Sequence, residues 1–284
     1  MSDVAYGINA LRVLLAKELG DDWPNTIPDP AREARTLLAH KMGVARQDLT
    51  LMMQEPLDED LLDDALDDAC DRLRGVPMSH VLGYREFFGR KFSVDNRVLD
   101  PRPETEILII EALSEEYFEV LDLGTGSGVI AITLAGERPN STVIATDVSS
   151  AALEVAAENA AALGVVARMH FECSNWYSAV GGTYDLIVSN PPYIAAEEMD
   201  ALQPEVRDHE PRIALTDEAD GLTAYRAITA GAPDHLMPGG RLIVEIGPTQ
   251  AQAVSQMMRD AGLQQIRVIP DLDGRDRVVE ARKP

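Results

Sequence analysis

Cysteine is nearly missing from this chain: only Cys70 and Cys173 occur among 284 residues. Two thiols so far apart exclude the disulfide framework of a small secreted domain, and both are expected to be buried packing residues. Long apolar runs are missing too, with nothing near the roughly 20 residues needed to span a bilayer. Met1-Ser-Asp-Val lacks the basic and apolar blocks of a signal peptide, so a cytoplasmic protein with no membrane partner is expected. Positive charge is scarce. There are 25 basic against 48 acidic residues, a formal net of −23, and the lysines are few (Lys17, Lys41, Lys91, Lys283). Such a chain is repelled by phosphate backbones, which argues against a direct nucleic-acid partner. His40, His80, His170, His209 and His235 show no metal-ligand spacing. What is present, 45% hydrophobic and 26% charged residues, excludes a disordered or fibrous chain.

The first eighty residues read as helical. Val4, Ile8, Leu11, Leu14, Leu15 and Leu19 recur at helical spacing over 4–19, and a loop rich in proline and aspartate runs from Asp21 to Pro30. Ala34, Leu37, Leu38 and Met42 mark a second helix over 31–42, with Gly43 as its C-terminal stop. Over 58–74, Leu62, Leu66, Ala69 and Leu73 form an apolar stripe opposite six aspartates, which read as a solvated face. Residues 81–103 change texture: two short strands around Gly89, with a turn at Asp95-Asn96, predict a β-hairpin linker. Phe87, Phe88 and Phe92 suit either core packing or the wall of a substrate cleft.

From residue 104 onward strands alternate with helices. Strands are expected at 120–123, 142–146, 169–173, 184–189, 240–246, 265–269 and 277–281, and helices at 128–135, 151–163, 221–236 and 249–261. That alternation predicts an α/β fold: a mostly parallel, doubly wound sheet of seven strands, behind a helical N-terminal domain. Ligands of such sheets bind beyond the carboxyl ends of the strands, where the strand order switches.

Three segments place unusual residues there. Asp122-Leu-Gly124-Thr125-Gly126-Ser127-Gly128 follows a strand with glycines that let backbone approach a ligand. Its third glycine comes one position earlier than in the dinucleotide fingerprint, and Val129 takes the expected place, so S-adenosylmethionine is favoured over NAD. Asp147 closes the next strand, where a carboxylate accepts from both ribose hydroxyls, although it could also cap the following helix. Asn190-Pro191-Pro192-Tyr193 ends the fourth strand. The two prolines remove two donors, so the Asn side chain and a neighbouring carbonyl can hold a planar –NH₂ group with the Tyr193 ring beside it.

Together with Asp100-Pro-Arg-Pro-Glu-Thr-Glu106, Glu210-Pro211, Gly239-Gly240, Glu245-Ile-Gly247 and Asp271-Leu-Asp-Gly274, these segments resemble the peptide chain release factor glutamine methyltransferases. The resemblance implies a Rossmann-like methyltransferase domain over 104–284, a helical substrate-recognition domain over 1–80 and a hairpin linker over 81–103. It implies S-adenosyl-L-methionine as cofactor and bacterial release factors as protein partners, methylated on the glutamine of their Gly-Gly-Gln loop. Gly124, Thr125, Gly126, Ser127, Gly128, Asp147 and Trp176 would bind the cofactor, with Trp176 on adenine and Asn190 beside it. Asn190, Pro191, Pro192 and Tyr193 would hold the substrate amide, and Asn190, Pro191 and Tyr193 would carry the catalysis. The family often has Asp where this chain has Asn175. A monomer is expected.

Three other readings compete. An amino methyltransferase acting on a nucleic-acid base shares the Asn-Pro-Pro-Tyr logic but needs a basic groove. A cofactor-binding scaffold has no use for a paired-acceptor pocket, and an NAD-dependent oxidoreductase is opposed by Val129. Glu104 and Glu106 suit either ligand contact or helix capping.

Overall fold

The structure, a computed structural model, describes residues 2–17 and 27–284, which form two compact units. The first contains the residues up to Gly83 together with Leu202–His209; the second contains Tyr84–Ala201 and Glu210–Pro284.

In the first unit α1 (Val4–Leu15), α2 (Pro30–Met42), α3 (Glu59–Leu73) and the short α4 (Met78–Leu82) enclose an apolar core. Each of the three long helices starts on an aspartate whose side chain accepts a first-turn N–H: Asp3 from Tyr6, Asp29 from Arg32 and Asp58 from Asp60. Gly43 ends α2 at φ 65°, as its position predicts. Leu19, expected on the first helix, and most of the Asp21–Pro30 loop lie outside the described residues. Arg72 is buried at 2% exposure, yet its charge is answered by Glu33 at 3.0 Å and Glu205 at 3.2 Å.

The second unit opens with a hairpin, β1 (Tyr84–Phe87) and β2 (Arg90–Ser93), in antiparallel register. It turns at Phe88-Gly89; a second turn follows at Asp95, whose Oδ1 accepts the Arg97 N–H. Then come α5 (Glu106–Leu113), β3 (Glu119–Leu123), α6 (Val129–Glu137), β4 (Thr142–Asp147), α7 (Ser150–Ala162), β5 (Met169–Cys173) and β6 (Tyr184–Ser189). After α8 (Pro204–His209), which groups with the first unit, the order is α9 (Arg212–Leu215), α10 (Thr223–His235), β7 (Leu236–Glu245), α11 (Ala251–Asp260), β8 (Gln264–Pro270) and β9 (Asp276–Arg282).

The expected seven-stranded sheet forms in the order β5-β4-β3-β6-β7-β9-β8, with β9 antiparallel to both neighbours and the rest parallel. Buried strands alternate their side chains between two cores. Val120, Val143, Leu186 and Val188 pack with α5 and α6, while Leu121, Leu123, Ile187 and Leu242 pack with α10 and α11. Phe87 and Phe92 meet edge to face at 6.1 Å inside the first of these cores, which settles them as packing residues. Cys173 departs from expectation: it is exposed, and Cys70 only half-buried. Cys173 ends β5, the edge strand, where no neighbour covers it.

Candidate active site

The chain winds outward from β3 through β4 to β5, then returns to place β6 on the other side of β3. A crevice therefore opens at the carboxyl ends of β4, β3 and β6. Leu123 is in register with both Thr146 and Ser189. The next residue on each strand is Gly124, Asp147 and Asn190, so three distant segments emerge side by side. They border a cavity of about 560 Å³.

The glycine loop is tied to β4. Gly124 and Thr125 N–H both donate to the Thr146 carbonyl, at 2.9 and 2.8 Å, and Gly126 N–H donates to Asp147 Oδ2 at 2.9 Å. Gly124 and Gly126 adopt φ of 73° and 55°, where a side chain is strained, and a Cβ on Gly126 would meet no protein atom within 4 Å. The space beside that glycine is cavity. Gly128, φ 84°, is absent from the lining: its Cβ would lie 2.7 Å from Ile132 Cδ1 and 3.1 Å from Ala156 Cβ. It brings α6 against α7.

Two carboxylates stand beside the loop, Asp122 buried and Asp147 half-buried. Asp122 Oδ2 accepts the Thr125 hydroxyl at 2.7 Å while Oδ1 has no partner, and burial pushes this carboxyl up to about 7. Asp147 is also raised by burial, against the N–H groups of Ser149 and Gly126. Its Oδ1 accepts from Ser149 at 2.9 Å. Each oxygen so engaged keeps a lone pair for a hydroxyl in the cavity. The helix cap is not Asp147: Ser149 performs that task for α7, accepting the Ala152 N–H.

Trp176 and Asn175 line the cavity beyond β5. Trp176 has φ 51°, a conformation that costs an aromatic residue of order 1–3 kcal/mol and is found where a site requires it. Ser174 Oγ donates to the Trp176 carbonyl at 2.7 Å and holds this bend.

Asn190 and Pro192 line the cavity; Pro191 and Tyr193 do not. Tyr193 packs toward the core containing Leu123 and Val244, and burial, helped by Glu245, pushes its phenol up to about 12. Its backbone is pinned: Gln250 Nε2 donates to the Tyr193 carbonyl at 2.9 Å, and a Cβ at Gly221 would come within 2.3 Å of the same oxygen. Asn190 Nδ2 donates to Thr105 Oγ1 at 3.2 Å, leaving Oδ1 as the acceptor.

The sequence reading missed the far wall. Arg102, Thr105, Ile213, Thr216 and Asp217 all line the cavity. Arg102 pairs with buried Glu210 at 2.6 Å. Burial pushes Asp217 up, but the N–H groups of Thr223, Ala219 and Gly221 outweigh it and hold the carboxylate below its ordinary value. Glu104 is exposed, and Glu106 accepts the Phe88 N–H at 2.9 Å, tying the hairpin to α5. Among the described residues no histidine, cysteine and carboxylate cluster suits a metal ion.

Comparison with known proteins bears directly on this arrangement. Residues 99–206 match the family model "Methyltransferase small domain", and residues 24–83 match "PrmC N-terminal domain". A release factor glutamine methyltransferase of Cereibacter sphaeroides is 54% identical over 258 residues, covering 91% of this chain and 93% of that one. The chain belongs to the release factor glutamine methyltransferase family. Another member, from Neisseria gonorrhoeae, is 42% identical and covers 91% of this chain and 95% of its own. A methyltransferase structure from Pyrococcus furiosus shares the fold, with TM-score 0.54 and 20% identity over 69% of this chain and 90% of that chain. A T. thermophilus 16S rRNA methyltransferase, solved with AdoMet and guanosine, does so at TM-score 0.50 and 17% identity, covering 71% and 50%. S-Adenosylmethionine is the cofactor of this fold family, and the open, positive-φ glycine loop beside an accepting carboxylate and a flat indole suits a nucleoside.

Proposed function

We propose that this chain transfers a methyl group from S-adenosylmethionine to the side-chain amide nitrogen of the glutamine in the Gly-Gly-Gln loop of bacterial peptide chain release factors. Membership of the family supports the reaction. The observation that carries it to particular atoms is Asn190, which spends its own –NH₂ on Thr105 and keeps its oxygen for another donor.

When bound, S-adenosylmethionine supplies a methyl group on a positively charged sulfur. Gly124, Thr125, Gly126 and Ser127 would form its floor, Asp147 would accept its ribose hydroxyls and Trp176 would cover its base. Asn190 Oδ1, on the cavity wall, accepts one hydrogen of the substrate amide; the main-chain carbonyl of Pro191, whose residue lies outside the lining, is the acceptor proposed for the other, so the nitrogen would present its remaining face to the methyl group. An amide nitrogen is a poor nucleophile because its lone pair is delocalised. Two acceptors that hold it in line supply the acceleration by orientation, and by favouring charge that develops on nitrogen. The nitrogen lone pair would form the C–N bond as the C–S pair returns to sulfur, leaving a neutral thioether, and the N-methylated amide would lose its extra proton to water. Tyr193 shapes this pocket from behind, through its fixed backbone.

In this reading the chain works as a cytoplasmic monomer on a folded protein partner, with no nucleic acid. Its net charge of −23 supports the last point. Among the described residues no helix is long and apolar enough to cross a membrane. Methyl-labelled S-adenosylmethionine and a purified release factor test the reaction, beside a copy whose loop glutamine is alanine. Label is expected on the first alone. Label on neither, with cofactor bound, would overturn the reading in favour of a base amino group.

A further inference from the structure

An asparagine amide offers an oxygen on one side and two hydrogens on the other, and a half-turn about its last bond exchanges them at little steric cost. With the wrong face toward the cavity, Asn190 would set its own –NH₂ against the substrate's –NH₂. Something must hold it one way round. Two residues outside the Asn-Pro-Pro-Tyr segment are placed to do so. Thr105, 2% exposed, lies just before α5, and its Oγ1 receives the Asn190 Nδ2 hydrogen. The Glu245 carboxyl group, 1% exposed at the end of β7, lies near enough for the Thr105 hydroxyl to favour its charged form. Because Ser189 and Val244 are in register, Asn190 and Glu245 stand side by side on adjacent strands.

We propose that Glu245 and Thr105 are positioning residues that fix the amide of Asn190 with its oxygen toward the substrate. A hydroxyl has one proton. While Glu245 is a carboxylate it takes that proton, so Thr105 can only accept from Asn190, and the amide is locked. Once Glu245 is protonated it can donate to Thr105 instead. The threonine proton is then free to seek Asn190 Oδ1, and the amide can turn over. This inference rests on the role of Asn190 in the reaction proposed above.

The surroundings of Glu245 place the change near neutrality. Burial raises it to about 7, opposed by Thr105, Arg277 and Arg102 and assisted by Glu104. The Tyr193 and Tyr225 phenols also face it, both pushed up and therefore neutral in this range. One carboxyl oxygen, Oε2, has no partner, so the group relies on few contacts. The charged, locking form gains as pH rises through that value.

The test measures kcat, the S-adenosylmethionine Kd and the melting temperature of the full chain acting on a release factor, across pH 6 to 8.5, for wild type, Thr105→Val, Thr105→Ser and Glu245→Gln. Wild-type kcat is expected to rise with pH through about 7. Thr105→Val should lower kcat about 10- to 100-fold, as loss of a buried orienting hydrogen bond does, with Kd nearly unchanged and melting lower by no more than a few degrees. Thr105→Ser should restore most of it. Glu245→Gln should lower kcat and flatten its pH profile. Wild-type kcat in Thr105→Val, or a wild-type pH limb in Glu245→Gln, overturns the inference. So does a loss in Thr105→Val that follows melting or Kd and that serine does not rescue. Wild-type activity on the release factor, measured alongside, separates failure of this inference from failure of the proposed reaction.

Discussion

Asn159, in the middle of α7, donates its side-chain amide to the main-chain carbonyl of Ser127 at 2.9 Å. The same amide exchanges hydrogen bonds with Ser93 of the hairpin, donating at 3.0 Å and accepting at 2.7 Å. All its polar capacity but one lone pair is used at 1% exposure, so the cofactor loop and the hairpin hang from one side chain.

Replacing Asn159 by Ala leaves the buried Ser127 carbonyl without this partner, at a cost of about 1–3 kcal/mol, and frees the Ser93 carbonyl and N–H at the exposed end of the hairpin. Thermal melting should fall by several degrees, and calorimetry should show weaker S-adenosylmethionine binding. Asn159→Asp should be worse, because it sets a charge against two carbonyl oxygens. Equal melting of Asn159→Asp and wild type would refute this account.

Asn190→Ala should lower kcat at least ~100-fold while the cofactor Kd stays within about threefold, since the lost acceptor acts on the substrate amide. A collapse of cofactor binding with normal turnover per bound complex would remove Asn190 from catalysis.

Asp147→Ala should show the reverse pattern. Losing a charged acceptor for the ribose costs roughly 1.5–3 kcal/mol, or about 10- to 100-fold in Kd, with kcat nearly kept at saturation. An unchanged Kd would place the ribose elsewhere.

The buried Asp122 should make stability depend on pH. Its folded value of about 7 lies above the ordinary 3.8, so the folded chain binds more protons between those values. Its contribution to stability is therefore greatest below about pH 4, shrinks as pH rises toward 7 and is level above that. Asp122→Asn, which still accepts from Thr125, should raise melting relative to wild type by a few degrees at pH 8 and by less at pH 5, since ~1 kcal/mol moves a domain of this size by roughly 2–4 °C. A difference independent of pH would show that Asp122 is ionised in the fold.

That three distant segments would meet at one crevice could be read before the fold. Gly124, Asp147 and Asn190 each follow a run of buried strand residues, and a parallel sheet brings the ends of such runs together. The wall from Pro211 to Ala224 was not legible. Its first helix, α9, spans only Arg212–Leu215, too short for any period to appear, and Asp217 looks in sequence like a solvated acid. Gly128 carries a packing role that was equally hidden. It shares a motif with Gly124 and Gly126, yet it serves the α6–α7 approach, which spacing along the chain does not reveal. The phenylalanines of the hairpin were ambiguous because an apolar residue on a short strand suits a core and a cleft equally.

The double register of Leu123 has a kinetic meaning. Its partners Thr146 and Ser189 lie far along the chain in sequence, and both pairings need a crossover to close first. Parallel pairings of this kind are slow, because chain entropy is lost before the contacts that compensate it form. Until β4 and β6 have both zipped onto β3, Gly124, Asp147 and Asn190 share no common place. A pocket bordered by all three is complete only once both crossovers have closed, so a ligand that fits it selects molecules in which they have.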